Sequence, residues 1–358
     1  MLIEPFAARS LDLRNRIVMA PMTRSRAVDA NTPNALMAEY YGQRASAGLI
    51  ISEGTSPSPN GLGYARIPGL YNQAQVDGWK LVTKAIHDRG GKIFVQLMHT
   101  GRVAHVANLP AGAEVVGPGA DVCPGEMWTD SQGMQPHSVP RAMSESDIAQ
   151  AVTEYAQSAR LAIAAGFDGV ELHGANGYLI EQFLNANVNH RKDGYGGTPE
   201  GRNRFALAIA HATVAAIGKD KVGIRLSPYG AFNATGAYPD VETQFLQLAR
   251  ELSSIGMLYL HLVDHSAMGA PPVPADFKTR LRAAFNGLFI VSGGFDRLTA
   301  EAALVERRGD LVDFGRPFLS NPDLVARFRK GAPLAAPDMA TFYTPGPKGY
   351  TDYPTLAA

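Results

Sequence analysis

One short segment carries three side chains that could bind and protonate an oxygen-bearing substrate. Residues 169–178 read Gly-Val-Glu-Leu-His-Gly-Ala-Asn-Gly-Tyr, so Asn176 and Tyr178 follow His173 within five residues. His and Asn can donate hydrogen bonds to a carbonyl or nitro oxygen, and a tyrosine hydroxyl, with an ordinary pKa of about 10, suits a general acid. A core histidine followed by a polar turn would have the same composition. The segment alone leaves both interpretations open.

Two glycine-containing turns near the C-terminus could bind a phosphate group. They are Ser292-Gly293-Gly294-Phe295 and Gly315-Arg316-Pro317-Phe318. Glycine lets backbone N–H groups approach the phosphate oxygens, a short helix supplies its positive end, and arginine pairs with the dianion. The chain has no G-x-G-x-x-G after a strand, no P-loop and no H-E-x-x-H, so a Rossmann dinucleotide site is not indicated. The turns favour a phosphorylated ligand.

These side chains must be positioned by regular elements, and the apolar runs indicate which. Short β-rich runs predict strands, and most of the segments between them have helical spacing. The predicted strands are 16–20, 49–53, 92–97, 169–173, 221–226, 257–263, 288–292 and 311–315. The predicted helices are 34–47, 75–89, 144–166, 202–217, 241–255, 297–308 and 322–330. This alternation predicts an α/β fold, a single (β/α)8 TIM barrel, although the pattern also allows an open doubly wound sheet.

The active site of such a barrel lies at the C-terminal ends of its strands. We therefore expect the polar residues at those ends to meet at one mouth: Thr23, Glu53, Gln96, His173 and Arg225. No domain boundary is visible, so residues 1–358 are predicted to form one domain. The stretch 98–143 is rich in Gly, Pro and polar residues and is predicted to be an active-site insertion or lid.

Composition excludes several classes of partner and cofactor. The chain has 33 Lys+Arg and 33 Asp+Glu, a formal net charge of zero, so nothing predicts nucleic acid as a partner. A single cysteine, Cys123, cannot form a four-Cys zinc site or a Cys-ligated iron–sulfur cluster. No signal peptide or apolar stretch long enough to span a membrane is evident. We therefore expect a cytoplasmic protein without a metal site and without a membrane partner.

Several motifs together resemble the old yellow enzyme family of FMN-dependent ene-reductases. They are residues 15–26 (NRIVMAPMTRSR), 96–102 (QLMHTGR), 173–184 (HGANGYLIEQFL), 193–197 (DGYGG) and 349–354 (GYTDYP). The match runs in register from about residue 2 to residue 354. It is most similar to the bacterial branch that includes N-ethylmaleimide reductase and pentaerythritol tetranitrate reductase.

The resemblance implies a non-covalent FMN in the barrel mouth, making the chain one FMN-binding domain. Thr23 would donate to flavin O4, Gly54 would lie close to the ring, and Gln96 and Arg225 would hold the pyrimidine edge. A cation there would stabilise negative charge on reduced flavin. The full set implied for the cofactor is Pro21, Met22, Thr23, Gly54, Gln96, Arg225, Gly293, Gly294, Gly315 and Arg316, the last four at the phosphate.

The resemblance also implies a ping-pong ene-reduction. NADPH or NADH would deliver hydride to flavin N5 and leave, and the alkene would take hydride at Cβ and a proton at Cα from Tyr178. His173 and Asn176 would bind the substrate's electron-withdrawing oxygen, and the pocket would be lined by Tyr64, Met98 and Tyr343. Activated alkenes with carbonyl or nitro groups are the expected substrates, with nitrate esters a further possibility. Preference between NADPH and NADH, the native substrate, and monomer or homodimer stay open.

Three positions depart from common family patterns. Met98 stands where many relatives have Trp, Asn176 where several have a second His, and Gly201 where Asn is frequent. A more pliable pocket wall follows from Met98. Competing interpretations are an iron–sulfur relative, which the single cysteine excludes, a different FMN or phosphosugar barrel using Glu53 or His173 as base, and a protein that keeps FMN without turnover.

Overall fold

The computed structural model describes residues 1–356, and its centre is a closed barrel of parallel strands. In chain order these are β1 (Ile17–Met19), β2 (Leu49–Thr55), β3 (Ile93–Leu97), β4 (Gly169–Gly174), β5 (Val222–Leu226), β6 (Tyr259–Val263), β7 (Leu288–Ser292) and β8 (Leu311–Phe314). Each strand pairs in parallel with its neighbours in sequence, and β8 closes the barrel against β1. The predicted TIM barrel is confirmed, and the open-sheet alternative is wrong.

Ten α-helices surround or follow these strands. They are α1 (Ala35–Gln43), α2 (Gln73–His87), α3 (Glu145–Ala164), α4 (Leu179–Leu184), α5 (Pro199–Ile217), α6 (Val241–Ile255), α7 (Ala275–Ala284), α8 (Arg297–Val305), α9 (Arg316–Ser320) and α10 (Leu324–Lys330). Single 3-10 turns lie at Asp29–Asn31, Pro59–Gly61, Val106–Asn108, Lys219–Lys221, Phe232–Ala234, Ser266–Met268 and Met339–Thr341. All seven predicted helices are present, with ends displaced by a few residues.

The pattern missed the short helices α4 and α9. It also missed α7, because the apolar signal of α7 is weak. Only Phe277 and Leu281 of α7 are buried, and the N-cap position holds Pro274, which makes no side-chain cap bond. By contrast, α3 has a full capping box, in which Ser144 accepts from the Asp147 amide and Asp147 accepts from the Ser144 amide. A capped start with regular apolar spacing is the stronger signal of the two.

The barrel is closed at its N-terminal end by a short antiparallel hairpin. Strands Phe6–Ala8 and Leu11–Leu13 pair with each other. Leu11 and Leu13 pack against the lowest interior side chains of the barrel, including Phe94 and Tyr259. Apolar side chains therefore fill the lower barrel, and polar groups are concentrated above them towards the C-terminal ends of the strands.

Residues 98–143 form an excursion between β3 and α3. Val116–Gly117 pairs in parallel with Arg141–Ala142, and Glu126–Thr129 pairs with Gly133–Pro136 as a hairpin. Arg66 forms an ion pair with Asp130 of this hairpin and also donates to the carbonyl of Tyr343. The excursion is thereby tied to the C-terminal segment at the mouth. Between residues 1 and 356, no helix is long and apolar enough to cross a bilayer.

Candidate active site

A cavity of about 520 Å³ opens at the C-terminal ends of the strands. Every residue that the sequence predicted for the cofactor or the substrate lines it: Pro21, Met22, Thr23, Gly54, Tyr64, Gln96, Met98, His173, Asn176, Tyr178, Arg225, Gly293, Gly294, Gly315, Arg316 and Tyr343. Their convergence follows from the barrel, since parallel strands bring all their C-terminal ends to one face.

The turn between β4 and α4 holds three of these side chains and is fixed by two buried groups. The Gly177 N–H donates to Glu181 Oε2 at 2.6 Å, and the Asn176 N–H donates to Ser227 Oγ at 3.0 Å. Ser227 Oγ in turn donates to the Glu181 carboxylate at 3.0 Å. Asn176 has a left-handed φ of +60°, which asparagine tolerates better than most residues. Glu181 and Ser227 therefore set the shape of the turn.

His173 is a neutral imidazole. Burial, reinforced by the charges of Arg225 and His261, places its pKa well below the usual value. The Ala175 N–H donates to Nδ1 of His173 at 3.3 Å. Because Nδ1 is an acceptor, the single ring proton belongs on Nε2. His173 can therefore offer one N–H donor to a ligand in the cavity.

Asn176 offers an amide that the protein does not satisfy. Its side-chain oxygen is buried without a hydrogen-bond partner within residues 1–356. Its backbone carbonyl, in contrast, accepts from Nδ2 of Asn233 at 2.7 Å. A buried polar group without a partner is costly unless a ligand or water completes it. The amide thus fits a position that faces a polar ligand.

Tyr178 is a protonated phenol held by a second tyrosine. Its hydroxyl lies 3.1 Å from that of Tyr64, and the two rings meet edge to face with centroids 6.1 Å apart. Burial raises the pKa of Tyr178 to about 12, although the hydrogen bond with Tyr64 acts in the opposite direction. The ring of His173 also packs edge to face on Tyr178, with centroids 5.0 Å apart. At neutral pH Tyr178 therefore holds a proton that it can donate.

The turns after β7 and β8 form the opposite side of the cavity. Gly294 has a φ of +73°, and a Cβ there would lie 2.5 Å from the Cβ of Ala267. Within residues 1–356, the Gly294 amide makes no backbone hydrogen bond of the kind found in turns and loops. Gly315 immediately precedes α9, whose first residue is the exposed Arg316. Unused amides beside an arginine are a donor set that fits a phosphate group.

The cavity floor between these two sides presents donors that fit a flavin ring. Nε of Arg225 is buried without a hydrogen-bond partner in the described chain. Gly54 leaves room for Met98, because a Cβ at Gly54 would lie 2.4 Å from the Met98 sulfur. A flat heterocycle with polar edges and a phosphate tail would meet Arg225 and Gln96 at one edge and the glycine turns at the tail. The residues present therefore fit FMN.

The structure corrects the expected position of Glu53 and gives a reason for the unusual residue Gly201. Glu53 does not line the cavity. It is fully buried and accepts from the Arg24 N–H at 3.1 Å and from the Tyr41 hydroxyl at 3.3 Å. A phosphosugar barrel that uses Glu53 as its base is therefore wrong. Gly201 is explained by packing, since a Cβ there would lie 2.3 Å from the carbonyl oxygen of Gly196.

Sequence reasoning missed several residues that line the cavity. They come from the loops after β5, β6 and β7, from β8 and from the C-terminal segment: Phe232, Asn233, His265, Met268, Phe295, Asp313 and Phe342. Asp313 was detectable, because it is a charged residue near the end of an apolar strand. The loop residues carry no comparable pattern. Among residues 1–356, no cluster of His, Cys, Asp or Glu could hold a metal ion.

Comparison with known proteins gives a consistent result over nearly the whole chain. The model of the NADH:flavin oxidoreductase / NADH oxidase family matches residues 1–335. A chanoclavine-I aldehyde reductase of Penicillium roqueforti is 43% identical, with 98% of this chain and 95% of the relative covered. A probable flavin mononucleotide-dependent alkene reductase of Leishmania infantum is 42% identical, with 99% and 98% covered.

A solved structure shows the same similarity in three dimensions. The old yellow enzyme homologue of Zymomonas mobilis superimposes with a TM-score of 0.95 at 40% identity, and the alignment covers 99% of each chain. The resemblance that the sequence motifs indicated is therefore confirmed both by sequence comparison and by fold.

Proposed function

Because this chain belongs to the NADH:flavin oxidoreductase / NADH oxidase family, we propose that its barrel-mouth cavity holds both FMN and the substrate. The protein is an NAD(P)H-dependent FMN oxidoreductase of the old yellow enzyme type that reduces activated C=C bonds. The proposal concerns which residues perform each part of that reaction and which region of the cavity each ligand occupies.

The cofactor side consists of the cavity floor and the glycine turns. Gly293, Gly294, Gly315 and Arg316 would hold the phosphate, supported by the unused Gly294 amide and the exposed guanidinium. Gln96 and Arg225 would hold the pyrimidine edge, with Thr23 at O4 and with Pro21, Met22 and Gly54 beside the ring. FMN held there would supply the redox chemistry, the transfer of hydride by way of its N5 from NADPH or NADH to Cβ of the alkene.

The substrate side is the turn after β4. His173 donates from Nε2 and Asn176 donates from its amide, so both can bind the carbonyl or nitro oxygen of the substrate. As hydride reaches Cβ, negative charge develops on that oxygen, and the two donors stabilise it by a few kcal/mol. Tyr64, Met98 and Tyr343 would line the space around the rest of the molecule.

Tyr178 would complete the reduction by donating its hydroxyl proton to Cα. Forming the Tyr178 phenolate in this buried position costs free energy, as the raised pKa of Tyr178 indicates. Tyr64 can reduce that cost by donating a hydrogen bond to the phenolate oxygen across the 3.1 Å contact. Tyr64 would therefore assist proton transfer without transferring a proton to the substrate itself.

One observation carries this assignment above the others. The neutral His173, the Asn176 side chain with its unpartnered oxygen and the protonated Tyr178 line the same cavity as the phosphate-type turns after β7 and β8. A cavity with a polarising pair and an acid on one side and a phosphate-type donor set on the other matches what ene-reduction by a flavin phosphate needs.

The proposal extends to organisation and surroundings. Residues 1–358 would act as one FMN-binding domain, with 98–143 as an active-site insertion that supports the mouth through the Arg66 and Asp130 ion pair. The partners would be an activated small-molecule alkene and NADPH or NADH, with no nucleic acid, in a cytoplasmic monomer or homodimer. Nitrate esters would suit the same oxygen-binding pair.

The test follows the flavin spectrum through both half-reactions without oxygen. Oxidised-flavin bands should bleach on addition of NADPH and return on addition of 2-cyclohexenone. Tyr178→Phe should slow the return about 10²-fold or more, because the proton donor is lost, and should leave the bleaching rate unchanged. Tyr64→Phe is the matched control and should slow the return only a few-fold. A protein that takes up no FMN would overturn the cofactor assignment, and a normal return in Tyr178→Phe would assign the proton to another group.

A further inference from the structure

Below the cavity, five polar side chains from five strands form a continuous chain of contacts. We call this set the buried charge cluster: Gln96 of β3, Glu171 of β4, Arg225 of β5, His261 of β6 and Asp313 of β8. Each of these side chains is nearly or fully buried, with Glu171 and His261 at 0% exposure. Four charged or chargeable groups in the interior of a barrel require mutual compensation.

The contacts run in one order across the barrel. Gln96 Nε2 donates to Glu171 Oε1 at 2.8 Å. The other Glu171 oxygen lies 2.9 Å from His261 Nδ1, and His261 Nε2 lies 2.8 Å from Asp313 Oδ2. The same Asp313 oxygen lies 3.7 Å from Arg225 Nη2. His261 is thus held between two carboxylates, and Asp313 lies between His261 and Arg225.

These contacts favour the charged forms of His261 and Asp313. Burial disfavours a charged imidazole, but the attraction of Glu171 and Asp313 outweighs it and raises the pKa of His261. Burial likewise disfavours the carboxylate of Asp313, but His261 and Arg225 hold its pKa below the usual value. With His261 protonated between two carboxylates and Arg225 beside Asp313, the cluster pairs two cationic with two anionic side chains, and its formal charges cancel.

The cluster reaches the cavity at its two ends. Gln96, Arg225 and Asp313 line the cavity, whereas Glu171 and His261 lie beneath them. Glu171 orients the Gln96 amide, because a carboxylate can accept only from the NH2 group and so leaves the amide oxygen for a ligand. Asp313 is the only acidic group of the described residues that pairs with Arg225. The electrostatic potential that a ligand meets at Arg225 therefore depends on Asp313 and, behind it, on His261.

We propose that His261 and Asp313 are positioning residues that set the net charge presented to bound FMN through Gln96 and Arg225, and thereby set its reduction potential. The inference rests on the proposed function, because it requires the pyrimidine edge of FMN at these two residues. Asp313 offsets part of the Arg225 charge and so limits how strongly the site favours reduced flavin. His261 offsets the acids and acts in the opposite direction.

The proposal predicts the direction in which each substitution shifts the reduction potential of bound FMN, and a purely structural role does not predict that direction. Reduced flavin carries more negative charge at its pyrimidine edge than oxidised flavin does. Removing the Asp313 charge leaves Arg225 without its paired acid and should favour the reduced form. Removing the His261 charge leaves Glu171 and Asp313 with one cation fewer beside them and should favour the oxidised form. Charges this close interact across a partly buried environment with an effect of about tenfold or more on an equilibrium.

The experiment measures the two-electron potential of bound FMN at pH 7 by dye equilibration, and the affinity of the apoprotein for oxidised FMN. Asp313→Asn should raise the affinity for reduced over oxidised FMN about tenfold, which is about +30 mV for a two-electron couple. His261→Gln should lower that ratio about tenfold. The double variant should return towards the wild-type potential. Asp310→Asn, the same change at the other end of β8, is the matched control and should leave the potential unchanged.

The outcomes distinguish this inference from the proposed function. If the wild-type protein binds no FMN, the proposed function fails. If FMN binds but Asp313→Asn and His261→Gln shift the potential in the same direction, or leave it unmoved, only the role of the cluster is overturned. If His261→Gln does not fold, Glu171→Gln replaces it. Glu171→Gln removes an anion and must raise the potential, and a fall or no change would contradict the proposal.

Discussion

The two sides of the cavity are built in different ways. The proposed phosphate side, after β7 and β8, is formed largely by backbone: Gly294 has a left-handed φ and no room for a Cβ. The substrate side, after β4, is formed by side chains on a turn that Glu181 and Ser227 hold from behind. Backbone geometry is fixed by residue type at the position itself, whereas the side-chain geometry depends on distant partners. We therefore expect mutations on the first side to impair FMN binding and mutations on the second side to impair substrate reduction, each without the other effect.

The largest difference between the effect on enone reduction and the effect on FMN affinity should come from His173→Ala combined with Asn176→Ala. Both oxygen-binding donors disappear, so kcat/KM for 2-cyclohexenone should fall about 10³-fold or more, since a single such donor is worth about 10² to 10³. Binding of a phenol inhibitor should weaken as well. FMN affinity, measured by fluorescence titration of the apoprotein, should stay within a few-fold. A large loss of FMN affinity would mean that the two sides are not independent.

The converse change is Gly294→Ala. An L-residue in the left-handed region costs about 1–2 kcal/mol, and the new Cβ would also contact Ala267. FMN affinity should fall about 10-fold or more, while enone reduction at saturating FMN should change little.

Gly269→Ala supplies the control for Gly294→Ala. Gly269 also has a left-handed φ, of +88°, but nothing lies within 4 Å of its Cβ position. The backbone strain is therefore similar and the contact is absent. FMN affinity that falls equally in both variants would assign the effect to general strain in these loops and would remove the special role of the Gly294 turn.

A smaller effect should come from Glu181→Gln, which tests the support behind the substrate side. Burial raises the pKa of Glu181 to about 8, against hydrogen bonds from Gly177 and Ser227 that lower it. Above pH 8, where Glu181 is ionised, enone turnover should fall several-fold, because the amide is a weaker acceptor than the carboxylate for the Gly177 N–H at 2.6 Å. Flavin reduction and FMN affinity should stay unchanged. Turnover equal to that of the wild type would show that Ser227 alone holds the turn.

The same glutamate makes stability depend on pH in a defined direction. Its folded pKa lies above the ordinary value, so the folded state binds more protons between about pH 4.5 and pH 8. Stability should therefore fall as pH rises through that window, by a few kcal/mol at most. Thermal unfolding of the wild type should show a steeper decline from pH 6 to pH 8.5 than that of Glu181→Gln. Parallel declines would assign the dependence to other groups, such as Glu53, whose pKa burial raises to about 7.

Much of the fold and the cavity was predictable, and the reasons are local. The run Leu288–Ser292 reads as a strand and is one, and Val241–Ile255 has the same bounds in the pattern and the structure. The missed helix α7 has two buried positions and no side-chain cap. Val241–Ile255 also lacks a side-chain cap but has seven buried positions, so local signals were sufficient wherever apolar periodicity was strong.

The sequence by itself determined the alternation of strands and helices, the family, and many of the residues that line the cavity, because a barrel places all its strand ends at one face. Only the tertiary structure decided how those residues are held. It removed Glu53 from the mouth, placed Glu181 and Ser227 behind the β4 turn, and joined His261 to Glu171 and Asp313. These contacts link residues up to 90 positions apart, from Glu171 to His261. Periodicity reports which face a residue occupies, but the partner it meets depends on how separate strands pack.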